Sequence, residues 1–188
     1  MKINGNELKV GNIIRHEGRL WKVAKTEHVK PGKGGAYMQA ELKCLKQGTK
    51  LNHRFRSSET LERARVEEAP YQFLFQEGDI LHFMHQETFE QVSLPKAVLG
   101  EGAAFLQESM VVSLAFCEGE AIDARLPKTL ILEITEADPV VKGQTAAASF
   151  KPAVLENGHK IMVPPHVGVG TKVVINTDDY SYVERAKS

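Results

Sequence analysis

A chain of 188 residues with two cysteines, a formal net charge of zero and no apolar run approaching the ~18 residues of a membrane span excludes a membrane-crossing helix. Cys44 and Cys117 show no Cys-x-x-Cys spacing, which excludes a disulfide framework and a cysteine-rich zinc site, and Met1 to Glu7 lack the apolar core of a signal peptide. A reducing, cytoplasmic setting without a membrane partner is therefore expected.

The zero net charge conceals an asymmetry. Residues 1–64 carry 14 Lys and Arg against 6 Asp and Glu, residues 65–127 carry 3 against 11, and residues 128–188 carry 7 of each. The first module is thus +8 and the second −8. A basic module of this size is the electrostatic footprint of a nucleic-acid contact, while the carboxylates between 67 and 123 read as a solvated acidic surface that keeps RNA off other faces.

In chain order, the first module alternates apolar and polar residues at period two. Ile13-Ile14-Arg15 leads through a Glu17-Gly18 turn to Leu20-Trp21-Lys22-Val23-Ala24, and Tyr37 to Leu45 returns before a Gln47-Gly48-Thr49 turn into Leu51 to Phe55. This predicts a small all-β barrel. Between its two long strands lies Lys30-Pro31-Gly32-Lys33-Gly34-Gly35-Ala36. Pro31 presets φ at a corner and Gly32, Gly34 and Gly35 are expected to supply positive φ, so Lys33 is predicted at a hairpin tip.

A second β unit follows Pro70, with Tyr71 to Phe75, a Gln76-Glu77-Gly78-Asp79 turn and Ile80 to Met84. Ala97 to Leu106 predicts a short helix interrupted near Gly100 and Gly102, followed by the hairpin Val111 to Phe116 and Ala121 to Leu126. Strands around a small helix suit a barrel of the oligonucleotide-binding (OB) type. After Pro127 come Leu130 to Ile134, Ala153 to Leu155, Lys160 to Pro164, Lys172 to Ile175 and Tyr182-Val183, with Asn157-Gly158 the strongest hairpin turn. The predicted domains are 1–64, 65–127 and 128–188, with no residue-level repeat between the last two.

Few residues suit chemistry. Lys33 is followed by glycines and a strand, whereas a phosphate loop needs Ser or Thr after its Lys and then a helix. An exposed tip also fails to desolvate an amine for Schiff-base work. His82 and His85 stand three apart on a predicted strand and so face opposite sides, which excludes a shared metal. Ser57, Ser58, Ser93, Ser109 and Ser113 have no adjacent His and carboxylate in sequence to form a triad.

Three stretches together resemble bacterial translation elongation factor P over essentially all 188 residues. Lys30 to Ala36 is similar to that family's tip loop, Phe73 to Met84 with Glu87-Thr88-Phe89-Glu90-Gln91 to its second domain, and Lys151-Pro152-Ala153, Gly158, Ile161, Val163-Pro164, Val167 and Gly170 to its third. The resemblance implies an L-shaped, all-β molecule with an SH3-like (KOW-like) barrel and two OB barrels. It implies no enzyme activity and no cofactor or metal, a monomer, and binding to the ribosome between the peptidyl and exit sites beside peptidyl-tRNA. The expected role is relief of stalling at consecutive prolines, with Lys33 modified, as by β-lysylation from a lysyl-tRNA-synthetase-like ligase, and Lys30, Pro31, Gly32, Gly34 and Gly35 shaping the tip toward the tRNA acceptor end.

Further tRNA or ribosome contacts are implied for Gly143, Gln144, Thr145, Tyr182 and Arg185. Gln144 stands where the family usually has Asp, which removes a charge from a loop expected near the exit-site codon. Tyr182 and Arg185 match a Tyr-x-x-Arg ending without the usual preceding Gly. The paralogous elongation factor P-like protein and a general RNA-binding module remain as alternatives.

Overall fold

The computed structural model describes residues 1–139 and 149–187, and nearly all of its regular structure is β. Period-two alternation in the first 64 residues becomes six strands: β1 Lys2–Asn4, β2 Ile13–His16, β3 Arg19–Val29, β4 Tyr37–Cys44, β5 Lys50–Arg56 and β6 Thr60–Arg63. They form one antiparallel sheet in the order β1-β6-β2-β3-β4-β5. The alternating inward residues, among them Ile14, Trp21, Val23, Met38, Leu42 and Phe55, close on one another as the barrel core. The Trp21 indole donates to the carbonyl of His16 at 3.1 Å, which satisfies its one polar atom.

The second sheet comprises β7 Glu67–Glu77, β8 Ile80–His85, β9 Gln91–Pro95, β10 Val111–Cys117 and β11 Glu120–Arg125. β7 starts before Pro70 instead of after it. Pro70 is tolerated because only β10 pairs at that position, the β8 ladder beginning at Tyr71. The expected helix resolves into two 3₁₀ pieces, Lys96–Val98 and Gly100–Phe105, the break falling at Leu99. Gly100 has φ +55°, a value that ends a helical run and favours glycine.

The third sheet contains β12 Thr129–Ala137, β13 Lys151–Leu155, β14 Lys160–Val163, β15 Lys172–Asn176 and β16 Ser181–Arg185. The orders β11-β10-β7-β8-β9 and β14-β13-β12-β15-β16 are one topology. In each, the first strand lies between the second and the fourth, the third pairs with the second, and the fifth with the fourth. This is the OB arrangement, repeated without a sequence repeat, because alternation and turn placement suffice to specify it. Asn157-Gly158 turns the β13–β14 hairpin as expected. Only Gly158 takes positive φ, so the connection is a three-residue loop instead of a primed two-residue turn.

The chain gathers into two compact units, one of residues 1–100 and 108–125, the other of 101–107 and 126 onward. The first therefore holds both the basic and the acidic sheets. A shared apolar cluster of Ile13, Leu45, Ala64, Ala115, Cys117 and Ile122 joins them. Among the described residues, no helix is long and apolar enough to cross a membrane.

Candidate functional site

β3 and β4 run as a long hairpin whose last ladder pair is Val29 with Tyr37, leaving Lys30 to Ala36 as the connecting loop. Lys30 through Gly35 are all exposed. Gly34 has φ +100°, the one left-handed conformation in the loop. Gly32 and Gly35 do not adopt positive φ, contrary to expectation, and nothing lies within 4 Å of where a Cβ would stand on either. The Lys33 ammonium has no hydrogen-bond or ion-pair partner among the described residues.

The root of the loop is braced where the tip is open. The Ser57 amide donates to the carbonyl of Ala36 at 3.1 Å, and His28 Nε2 lies 3.2 Å from Ser57 Oγ. The Arg54 guanidinium sits over the Tyr37 ring, 4.9 Å from its centroid. The turn after β5 is tied by the Glu59 amide to the Arg56 carbonyl at 2.9 Å and by the Arg56 amide to Glu59 Oε2 at 3.0 Å. Gly5 packs against this turn so closely that a Cβ would stand 2.2 Å from the Arg56 carbonyl oxygen.

Ion pairing sets several cations of the basic module apart from those at the tip. Three pair with carboxylates of the second module: Lys22 with Asp123 at 2.8 Å, Arg15 with Glu118 at 2.9 Å and Lys46 with Glu120 at 3.9 Å. Glu41 takes Lys25 and Lys50 at 4.0 and 3.8 Å. At the tip end, Lys30, Lys33, Arg54 and Arg56 have no carboxylate partner among the described residues. Glu118, Glu120 and Asp123 are thus counter-ions of the first module; Glu118 and Glu120 remain exposed as expected of a solvated acidic surface, and buried Asp123 is the departure from that reading. Asp123 is buried, and Lys43 lies close by with its ammonium donating to the Ala97 carbonyl. Burial, and then the Lys22 charge, push the Lys43 pKa below its ordinary value, while Asp123 opposes them.

Tyr182 and Arg185 stand three apart, a spacing that in a regular strand points side chains to opposite faces. A bulge in the β15–β16 ladder changes this. Tyr182 pairs with Ile175 and Arg185 with Val173, so both lie on one face of the sheet, Tyr182 half-buried and Arg185 exposed. Gly143, Gln144 and Thr145 lie outside the described residues.

His82 and His85 have separate partners, Ser93 Oγ at 3.0 Å from one and the amides of Glu87 and Thr88 at 3.1 and 3.2 Å from the other. The fold therefore brings Ser57 to His28 and Ser93 to His82, which sequence order did not suggest. No carboxylate bonds either histidine among the described residues, so neither pair has the third member of a triad. Arg54, Arg56, Tyr37 and Ser57 were also missed as a group. The readable signal was the β4–β5 register, which sets Tyr37 opposite Arg56 and Gln39 opposite Arg54.

Three family profiles account for nearly the whole chain. They are described as the elongation factor P KOW-like domain over residues 4–61, the elongation factor P OB domain over 66–124, and elongation factor P, C-terminal, over 130–185. The chain belongs to the elongation factor P family. An elongation factor P of Brucella canis is 56% identical over 186 residues, covering 99% of this chain and all of the relative. That of Brucella melitensis biotype 2 is 55% identical over the same shares. A translation initiation factor 5A from Methanococcus jannaschii matches in structure with a TM-score of 0.52 and 24% identity, over 68% of this chain and 94% of that one, a likeness of fold alone. Elongation factor P is a translation factor, and the SH3-like and OB sheets are its domains.

Proposed function

We propose that this translation factor binds the ribosome between the peptidyl and exit sites beside peptidyl-tRNA and relieves stalling at consecutive prolines through Lys33. The observation that carries the reading is an exposed, unpaired lysine at the end of a long two-stranded hairpin whose root is braced. Such an arm delivers a cation several residues beyond the body of the barrel while its base stays ordered. Lys30 adds charge, Pro31 sets the corner, and Gly32, Gly34 and Gly35 keep the apex thin enough to enter a narrow site.

The mechanism is positional and uses no active site in the factor. Proline's ring locks φ and makes its nitrogen a poorly placed nucleophile, so the barrier to peptide-bond formation rises. Holding the acceptor end of the tRNA in a reactive orientation recovers part of that barrier through prepaid entropy, with tolerances of about 1 Å. Modification of Lys33 by a lysyl-tRNA-synthetase-like ligase extends the arm and adds donors for phosphate or ribose oxygens. Tyr182 and Arg185, sharing a face, are proposed contacts to the tRNA or the ribosome, and the same is proposed for Gly143, Gln144 and Thr145.

Reconstituted translation of a message with three consecutive prolines tests this. The protein purified from its own host is expected to restore full-length product, Lys33→Ala to lose most of that rescue, and a proline-free message to respond to neither. Equal rescue by Lys33→Ala would overturn the reading in favour of general RNA binding. Peptide mass spectrometry across Lys30–Tyr37 reads the state of the lysine directly.

A further inference from the structure

We infer that the depression at the root of the tip loop is a binding subsite for one unpaired RNA nucleotide, with Arg56, Ser57 and Ser58 holding its phosphate and the Arg54–Tyr37 pair taking its base. The inference rests on the translation-factor reading above and assigns a separate contact to residues outside the tip. The depression has a volume of about 630 Å³ and none of the residues lining it is acidic. Its walls come from two strands in fixed register, Tyr37 opposite Arg56 and Gln39 opposite Arg54, so the ring and both guanidinium groups share one face of the sheet.

Three features suit a nucleotide better than a bare anion. A planar guanidinium resting on a phenol ring 4.9 Å away is a flat, electron-poor platform of the kind on which bases stack. Arginine and hydroxyl donors beside it match phosphate oxygens, and the Ser57 hydroxyl is already positioned by His28 at 3.2 Å. The supporting turn is fixed before any ligand arrives, by the Arg56–Glu59 hydrogen bonds and by the Gly5 amide donating to the Glu59 carbonyl at 2.9 Å. Glu59 points its carboxylate back to the Arg56 amide at 3.0 Å, within the turn itself. Five of the basic module's cations, Arg15, Lys22, Lys25, Lys46 and Lys50, are drawn to carboxylates, whereas Arg54 and Arg56 have no carboxylate partner among the described residues.

Fluorescence anisotropy with the full chain, a labelled single-stranded RNA pentamer and an abasic ribose-phosphate oligomer of equal length tests the subsite. Wild-type protein is expected to prefer the pentamer. Arg54→Gln and Tyr37→Leu should weaken the pentamer about 5- to 30-fold and abolish that preference, while Tyr37→Phe keeps it. Arg56→Gln should weaken both probes alike and lower the salt slope by about 0.7. Lys9→Gln, which removes an equal charge elsewhere on the module, should change little. Equal affinity for the two probes, or a Lys9→Gln effect as large as that of Arg54→Gln, would overturn the subsite. The polyproline assay separates the two readings. Rescue lost in Lys33→Ala but intact in both Arg54→Gln and Tyr37→Leu sinks the subsite alone. The anisotropy pattern holding while Lys33→Ala still rescues sinks only the tip reading.

Discussion

Gly34 shows how one residue separates conformational need from functional need. At φ +100° an L side chain is strained whatever space surrounds it, so Gly34→Ala is expected to cost about 1–2 kcal/mol in a urea unfolding midpoint or to force the loop into another shape. Gly32→Ala and Gly35→Ala place their methyl groups in open space at ordinary φ, and should leave stability within about 0.5 kcal/mol of wild type. Loss of proline rescue in these two variants at unchanged stability would locate a partner surface against the tip. Rescue at the wild-type level would show that their small size is not used. The position of Lys33 was legible in the sequence because turn chemistry is local. Which glycine carries the unusual φ was not legible, since three glycines within four residues offer several routes round the same corner.

At the scale of elements, the strands were readable wherever apolar alternation ran for several residues, and were missed where it did not. β1 and β6 span three and four residues and β9 only five, each with too few inward side chains to show a period. The common face of Tyr182 and Arg185 was hidden for a different reason, because one extra residue in β16 reverses the period-two rule and leaves no mark in composition. The 3₁₀ turn ending at Phe105 is held to the third sheet by an aromatic cluster that periodicity also does not reveal. Fully buried Phe105 stacks on Tyr180 at 4.6 Å and 9°, with His159 edge-on, and Asn157 Nδ2 donates to the Ala104 carbonyl at 3.1 Å. Burial, and then the Glu101 charge, raise the Tyr180 pKa above its ordinary value of 10.0. The unfolded chain therefore releases this proton first as pH rises. The stability that Tyr180 contributes is complete below about pH 10 and is lost as pH climbs through the higher folded value. Urea unfolding at alkaline pH should show a shallower loss of stability in Tyr180→Phe than in wild type, and the difference in tyrosinate absorbance between the two should titrate above an ordinary tyrosine. A difference titrating at or below the ordinary value would refute the buried-hydroxyl account.

For the molecule as a whole, the +8 and −8 modules are not simply an RNA-seeking end beside an RNA-repelling one. Part of each charge is used internally, where the acidic sheet supplies counter-ions to the basic one within a single compact unit. Lys22 and Asp123 are the most enclosed of these pairs, Lys22 being 32% exposed at its side chain and Asp123 10%. Lys43 lies in the same field, its ammonium already disfavoured by burial and by Lys22. Asp123→Asn leaves both lysines without their shared counter-charge at nearly constant volume. Because removing one partner of a buried pair costs far more than the pair contributes, the loss should be about 2–3 kcal/mol, near the lower end for buried pairs since Lys22 keeps some solvent. Lys22→Met in the Asp123→Asn background should return much of that loss by removing one stranded charge, whereas additive losses would mean that the two residues do not act on each other. The arm that carries Lys33 is the continuation of β3, the strand that bears Lys22, and Asp123 lies on β11. Weakening this pair therefore loosens the footing of the arm on the second sheet without touching the tip. If rescue depends on a fixed footing, Asp123→Asn will lose polyproline activity at temperatures where circular dichroism still reports a folded chain, and the Lys22→Met double variant will regain it. Full activity in the single variant under those conditions would show that the arm finds its position on the ribosome without help from this contact.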